Sequence, residues 1–361
     1  MVADLNMGRR TGKNEGSMMQ EWWRPARFAS RRVALDRRER IRAAVRSFFA
    51  EREFAEVDTP ALQVSPGLEP HLRAFATELH DEVGVGARYL HTSPEFAMKK
   101  LLVAGMPRIW QLAHVYRDGE RSATHHPEFS MLEWYRSGAS YRDLMDECTA
   151  LIRACQEAVG AGALIWRGQT ADAMREWQRI SVAEAFDRHC GLDLLATAPD
   201  PLHPDTERLA AAASGIGIAP HSGDDWETLF FRIFLERIEP LLGLGAPTIL
   251  YDYPLSMAAL ARRHPDDPRL AERFEVYVCG MEVANGFGEL TDAAEQRARF
   301  LADQTHKQQL YGHIYPIDED FLAALEHGLS DCAGIALGFD RLVMLVSGAG
   351  DIEEVLWAPV R

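Results

Sequence analysis

Residues 109–136 read Ile-Trp-Gln-Leu-Ala-His-Val-Tyr-Arg-Asp-Gly-Glu-Arg-Ser-Ala-Thr-His-His-Pro-Glu-Phe-Ser-Met-Leu-Glu-Trp-Tyr-Arg. Two alternating runs, 109–116 and 129–135, flank a polar connection that contains a glycine, the pattern of two antiparallel strands joined by a loop. Period-two spacing puts Phe129, Met131, Glu133 and Tyr135 on one face and Leu132 and Trp134 on the other, where Trp134 reads as an exposed-type aromatic. Glu133 then has two readings. It is either a solvated charge on a half-buried sheet or a buried carboxylate that needs a cationic or donor partner, because an unpaired buried charge is costly.

The 361-residue chain is 47% hydrophobic and 26% charged, which suits one large domain or one domain with an insertion. No apolar run approaches the roughly 18 residues of a membrane span, and the N-terminus lacks a signal-peptide apolar core. No membrane partner and a cytoplasmic location are therefore expected. Cys148, Cys155, Cys190, Cys279 and Cys332 are odd in number and contain no C-x-x-C, so buried free thiols are expected rather than a disulfide framework or a zinc site. A net charge of −15 argues against an extended nucleic-acid surface. The arginines between Arg24 and Arg46 are either a solvated helix face or a docking surface for an acidic partner or an RNA.

Residues 1–20 are polar and patternless and read as a disordered extension. From Asp36 to about Glu53, Ile41, Ala44, Val45, Phe48 and Phe49 share one helical face, and the chain then runs to Pro60. A strand over 88–92 leads to Thr92-Ser93-Pro94-Glu95, a helix start with Ser93 as N-cap and Pro94 at the first helical position. Gly105 can close that helix. Glu95 in the first turn favours the helix dipole. Tyr141 to Val159 is amphipathic, residues 160–245 are mostly helical in pattern, and Thr248–Pro254 is an apolar-aromatic strand.

Further on, 273–278 and 281–287 flank Cys279-Gly280, a two-residue hairpin turn. With Val278 opposite Met281, Glu275 falls opposite Ala284 and diagonal to Glu282, so the two carboxylates share a face. They are either exposed acids on an edge hairpin or the two sides of a cation site, for which Mg²⁺ is suited. Asn285, Phe287 and Glu289 have the opposite parity to Glu282, so a common pocket requires a bulge near Gly286. Residues 334–338 read as a buried glycine-containing strand that enters a helix. Arg341 in that helix's first turn is unfavourable for the dipole and calls for an anionic partner.

Arg117, His125 and Pro127-Glu128-Phe129 leading into Met131-Leu132-Glu133-Trp134-Tyr135 together resemble motif 2 of the class II aminoacyl-tRNA synthetases. The chain is most similar to the elongation factor P lysine ligase family. Its members are truncated relatives of lysyl-tRNA synthetase that attach a lysine-type amino acid to a lysine of elongation factor P. The helix, strand and Pro60 resemble motif 1, which builds the family's homodimer, and Gly334-Ile-Ala-Leu-Gly-Phe-Asp-Arg341 resembles motif 3. The resemblance implies an α+β fold in which a class II synthetase-like antiparallel sheet is flanked by helices. The catalytic domain would occupy 21–361, with a mostly helical insertion at about 160–245. Too little chain precedes Pro60 or follows motif 3 for a β-barrel anticodon-binding domain, which speaks against tRNA as a partner.

The same resemblance implies ATP and Mg²⁺. Arg117 would bind the substrate carboxylate and the α-phosphate, its planar fork being suited to both. Glu275 and Glu282 would hold Mg²⁺, Phe129 and Arg341 would sandwich adenine, and His125 would contact the triphosphate. The family's Phe-Arg-x-Glu is here Tyr116-Arg117-Asp118-Gly119-Glu120, which moves the adenine-contacting acid one place later, to Glu120. Glu133, Tyr135 and Glu289 would take a distal ammonium, Glu95 the other amino group, Asn285 the carboxylate and Phe287 the methylenes. Ala336 stands where lysyl-tRNA synthetases carry Gly, as in the ligase family, which prefers (R)-β-lysine. The implied activity is adenylation of a lysine-type acid and its transfer to elongation factor P. A lysyl-tRNA synthetase-like core charging tRNA or a small acceptor is one alternative. A catalytically inactive, lysine-binding paralogue is another, although the set Arg117, Glu275, Glu282 and Arg341 speaks against it.

Overall fold

The two alternating runs form strands Arg108–Tyr116 and Glu128–Ser137 of the computed structural model, which describes residues 21–82, 84–258 and 260–360. The extension expected over 1–20 lies outside these described residues. The two strands pair antiparallel with Ile109 opposite Tyr135 and Val115 opposite Phe129. They belong to an eight-stranded sheet in the order Ala55–Glu56, Arg108–Tyr116, Glu128–Ser137, Cys332–Gly338, Met281–Gly288, Leu270–Val278, Thr248–Pro254 and Gln178–Ser181. Neighbours are antiparallel except at the two edges, where Ala55–Glu56 and Gln178–Ser181 each join in parallel.

One face of this sheet carries the main core. Trp110, Leu132, Trp134, Phe274, Val276 and Ile335 pack there with Phe49 of helix Pro25–Ala50, Cys148 of helix Tyr141–Val159 and Leu345 of helix Phe339–Ser347. Trp134 is therefore not the exposed aromatic expected. It is fully buried against Phe49, and its indole N–H donates to Glu147 at 3.2 Å.

Helix Pro25–Ala50 starts earlier than the apolar stripe suggests. Pro25 opens it in the first helical position, where its missing N–H is harmless. The polar turns ahead of Ile41 are useful because their arginines reach other elements. Arg37 donates to the terminal carbonyls of Val346 and Ser347, and Arg40 to Ala158 O. Arg46 pairs with Glu56. Much of the arginine cluster is thus tied into the chain's own fold, while Arg27, Arg32 and Arg42 stay exposed.

The segment 160–245 departs from its helical expectation at its start. Leu164–Trp166 and Gln169–Ala171 form a small hairpin, and Gln178–Ser181 supplies the edge strand of the main sheet. Only then do helices Val182–Cys190, Thr206–Gly215 and Trp226–Ile233 follow. Their Phe186 and Phe230, with Phe234 of the following turn Phe234–Ile238, pack with Leu250, Tyr253 and Tyr277. The strand expected over 88–92 runs from Gly84 to Leu90. The five cysteines are free, and among the described residues no helix is long and apolar enough to cross a membrane.

A buried ion pair joins three elements behind the sheet. Arg38 donates to Asp340, to Ser130 Oγ at 2.7 Å and to Val355 O at 3.2 Å, and Asp340 also accepts the Ser130 backbone N–H at 2.7 Å. Both side chains are almost inaccessible. Removing one partner of such a pair strands a buried charge and costs about 3–5 kcal/mol. Asp340→Ala is therefore expected to lower unfolding stability by about that amount; urea denaturation showing a loss under about 1 kcal/mol would contradict the framing role given to this pair.

Candidate active site

The opposite face of the sheet gathers the polar side chains, and strand register decides which of them meet. Gln111, Glu133, Ala336, Asn285 and Glu275 follow one another across neighbouring strands, with Ile109, Tyr135, Gly334, Phe287 and Arg273 in the adjacent row. Directly paired residues share a face. The turn at Cys279-Gly280 has positive φ at both positions, 55° and 73°, as a tight two-residue hairpin requires.

The expected bulge exists, but it lies at Val283. Val276 pairs with Ala284 while Tyr277 pairs with Glu282, leaving Val283 as the extra residue. Glu275 accordingly lies opposite Asn285, not Ala284. The bulge reverses parity, so Glu282 joins Asn285 and Phe287 on the face of Glu275. Gly286 has another reason to be glycine: a Cβ there would stand 2.4 Å from the Phe274 ring on the core side. Gly334 is similarly constrained, since Tyr135 Cε1 and Glu289 Oε1 lie 2.2 and 2.3 Å from where its Cβ would be.

At one end of the pocket sits Glu133, with no exposed surface. It accepts from Ser93 Oγ at 2.6 Å and from Tyr135 O–H at 3.0 Å. Pro94, rather than Ser93, is the N-cap of helix Glu95–Val103, and Ser93 Oγ accepts the Glu95 N–H at 3.1 Å while donating to Glu133. Gly105, at φ 101°, follows the C-cap Ala104. Burial, reinforced by the charge of Glu95, pushes the Glu133 carboxyl up to about 8.

Lys99, which belongs to none of the motifs above, is completely buried between the two acids expected to meet amines. Its ammonium lies 2.5 Å from Glu95 and 2.6 Å from Glu289. Burial opposes its charge, but Glu289 and Glu95 outweigh that and hold its pKa above the ordinary value. Burial also raises Glu289 to about 7, despite the pull of Lys99. The signal was present in the sequence as an i,i+4 Glu-Lys pair.

The other end is cationic. The Arg117 guanidinium lies 5.3 Å from the Phe129 ring centroid and 3.9 Å from Glu120. Arg117 Nε and Glu120 Oε2 are buried without partners. Arg117 therefore covers one face of Phe129. Arg341 donates to the carbonyls of Glu282 at 2.8 Å and Thr124 at 3.3 Å and to His125 Nε2 at 2.7 Å. Glu282 Oε2, 3.9 Å away, supplies the anionic partner its place in the helix calls for. Burial, with Arg341 and Arg117, lowers His125 to about 4. The ring is therefore neutral near pH 7, accepting at Nε2 and leaving Nδ1–H for Ser122 Oγ at 2.8 Å.

Between the ends, Glu275 is held by Arg273 at 2.7 Å and by the Tyr277 hydroxyl. Both partners lie two residues away on the same strand and were legible by parity. Burial and Glu275 raise Glu282, and burial with Glu282 and Glu275 raises Glu239 to about 7. Glu239 comes from the distant turn Glu239–Leu241, and no local pattern announces it. Among the described residues no group of three or more His, Cys, Asp or Glu converges as a metal cage. Glu275, already paired with Arg273, and Glu282, whose nearest cation is Arg341 at 3.9 Å, nevertheless fit Mg²⁺, which takes one or two protein carboxylates beside substrate phosphates.

An ammonium settling against Glu133 needs the carboxylate, so below about pH 8 its binding must expel a proton. The affinity of a diamino acid is expected to rise with pH, up to tenfold per unit between about 6 and 8, and to level off above. Glu133→Gln should flatten this rise. Calorimetry in buffers of different protonation heat measures the proton directly, and pH-independent wild-type affinity would refute the arrangement.

Residues 15–361 match the family model of class II tRNA synthetases (D, K and N), and the chain belongs to that family. It is 41% identical over 344 residues to the elongation factor P--(R)-beta-lysine ligase of Vibrio cholerae, an alignment covering 93% of this chain and 97% of the relative. With the protein of that name from Proteus mirabilis the identity is 39% over 351 residues, covering 95% and 99%. With that from Yersinia enterocolitica it is 39% over 331 residues, covering 90% and 94%.

Proposed function

We propose that this protein is an ATP-dependent ligase that adenylates a lysine-type amino acid, (R)-β-lysine by its likeness to these relatives, and transfers it to a lysine side chain of elongation factor P. The observation that carries this reading is the continuous sheet face from Glu133 to Glu275: acids set for amines stand at one end, and Arg117 and Arg341 at the other. The catalytic domain spans 21–361, with the 160–245 segment as an insertion. The working form is a cytoplasmic homodimer through the motif 1 region, and a protein rather than tRNA is the acceptor.

A carboxylate attacking the α-phosphorus brings one anion against another, so catalysis rests on orientation and charge neutralisation. Arg117, with its free Nε–H, holds the substrate carboxylate beside the α-phosphate. A substrate oxygen bonds to the α-phosphorus while the bond to the β-phosphate oxygen breaks and pyrophosphate leaves. Arg341, oriented by the neutral His125 beside it, binds the departing phosphates, Phe129 flanks adenine, and Glu120 is placed for its edge. Glu275 and Glu282 would hold Mg²⁺, which supplies further neutralisation of the phosphates. The acceptor lysine then attacks the acyl carbon, forming an amide and releasing AMP.

For the amino acid, Glu133, Tyr135 and Glu289 receive the distal ammonium and Glu95 the other amine. Asn285, whose Oδ1 is buried without a partner, orients the carboxylate end, and Phe287 lies along the methylenes. Ala336, between Glu133 and Asn285 in the row, puts a methyl on the pocket floor. Amino-acid-dependent ATP–pyrophosphate exchange tests the reading. Exchange with (R)-β-lysine is expected to exceed that with L-α-lysine and to fall at least about 100-fold in Glu282→Ala. Exchange with neither acid would overturn the proposal, and exchange with α-lysine alone would favour the lysyl-tRNA synthetase-like alternative.

A further inference from the structure

Beside Glu95, outside every element assigned above, the loop at 65–72 borders a partly open cavity of about 20 Å³ lined by Ser65, Gly67, Glu69, Thr92, Ser93 and Glu95. That is room for a single water-sized group. Two of the polar atoms around it have no partner: Ser65 Oγ, on a side chain only 3% exposed, and Glu69 Oε2. Buried polar atoms are normally paired, so the Glu69 oxygen calls for a donor and the Ser65 hydroxyl, which can accept as well as donate, for a partner.

The loop is built to stay in place. Lys307, itself buried, donates to the carbonyls of Glu69, Pro70 and Leu72 at 3.2, 2.9 and 2.6 Å. Thr92 Oγ1 donates to Pro66 O at 2.7 Å, and Leu68 is sunk in the core. Gly67 has φ 116°, and a Cβ there would meet Glu69 Oε2 at 2.6 Å. Burial and the charge of Glu95 raise the Glu69 carboxyl above its ordinary range, against the pull of Arg117 and Lys307. Two carboxylates and a hydroxyl therefore face a space the size of one small group, and a cation that donates hydrogen bonds would satisfy all three.

We infer that Ser65 and Glu69, with Glu95, form the receptor for the second, non-distal ammonium of the substrate, making Glu69 a specificity-determining residue. The assignment rests on the adenylation reading above. A primary ammonium presents three donors and no acceptor, which matches Ser65 Oγ, Glu69 Oε2 and the Glu95 carboxylate. It is the size of the water the cavity admits. The distal ammonium occupies Glu133 and Tyr135, so this receptor reads where along the chain the second amine is attached.

The test compares wild type, Glu69→Gln and Ser65→Ala in pyrophosphate exchange. The substrate is (R)-β-lysine, and 6-aminohexanoic acid, which lacks the second amine, is the competitive inhibitor. Glu69→Gln is expected to lower kcat/KM for the diamino acid roughly 10- to 100-fold, and Ser65→Ala roughly 5- to 10-fold, with the inhibition constant unchanged in both. Parallel weakening of substrate and inhibitor would show a general structural role and overturn the assignment, as would unchanged kcat/KM. A wild type that exchanges with no lysine-type acid removes the adenylation reading and this assignment with it. Exchange by wild type with a mute Glu69 removes only the latter.

Discussion

One unpaired residue in a hairpin decides what the pocket contains. Side chains alternate along a strand, so a slip of one position sends every later group to the other face. Without Val283 as an extra residue, Glu282 would point into the hydrophobic core or Asn285 and Phe287 would. The bulge gives all three one face, and pairing with Cys332–Gly338 then carries that face to Ala336 and Glu133. The pocket is thus a consequence of register. Gly334 and Gly286 protect it by leaving space for Tyr135 and Glu289 on one side of the sheet and Phe274 on the other.

Collecting so many carboxylates on a buried surface is unfavourable, and the structure offsets it unevenly. Glu95 and Glu289 share Lys99, and Glu275 has Arg273. Glu133 and Glu282 have no comparable partner, and each is raised above the ordinary carboxyl range. An unpaired buried acid either takes up a proton or waits for a cation. In the proposed reaction a substrate ammonium and a phosphate-borne metal ion would supply the cation that each of these two acids lacks. The cost of assembling the site therefore becomes selectivity for cationic ligands.

The back of the sheet supplies the rigidity this needs. Arg38 and Asp340 tie helix Pro25–Ala50 to the Glu128–Ser137 strand and to the helix that carries Arg341. Arg341 stands one residue after Asp340, so the pair that fixes the helix start also fixes the base of that side chain. The helices of the 182–233 region cover Leu250, Tyr253 and Tyr277, which places the Tyr277 hydroxyl against Glu275.

Alternation and turn chemistry made the central strands, the Tyr141–Val159 helix and the Cys279-Gly280 hairpin legible, because those signals are local. The recurrence of motif residues pointed to the family and to most of the candidate site. Local patterns fail where an element is stabilised from a distance. Helix Pro25–Ala50 extends through turns with little apolar pattern because Arg37 and Arg38 find partners some 300 residues on, and Gln178–Ser181 is a strand because Thr248–Pro254 has a free edge for it. The sequence by itself determined that acids, arginines and small residues would line one sheet. Tertiary structure decided the bulge position, the burial of Lys99 between two of those acids and the arrival of Glu69 and Glu239, because each depends on groups that only folding brings within a few ångströms.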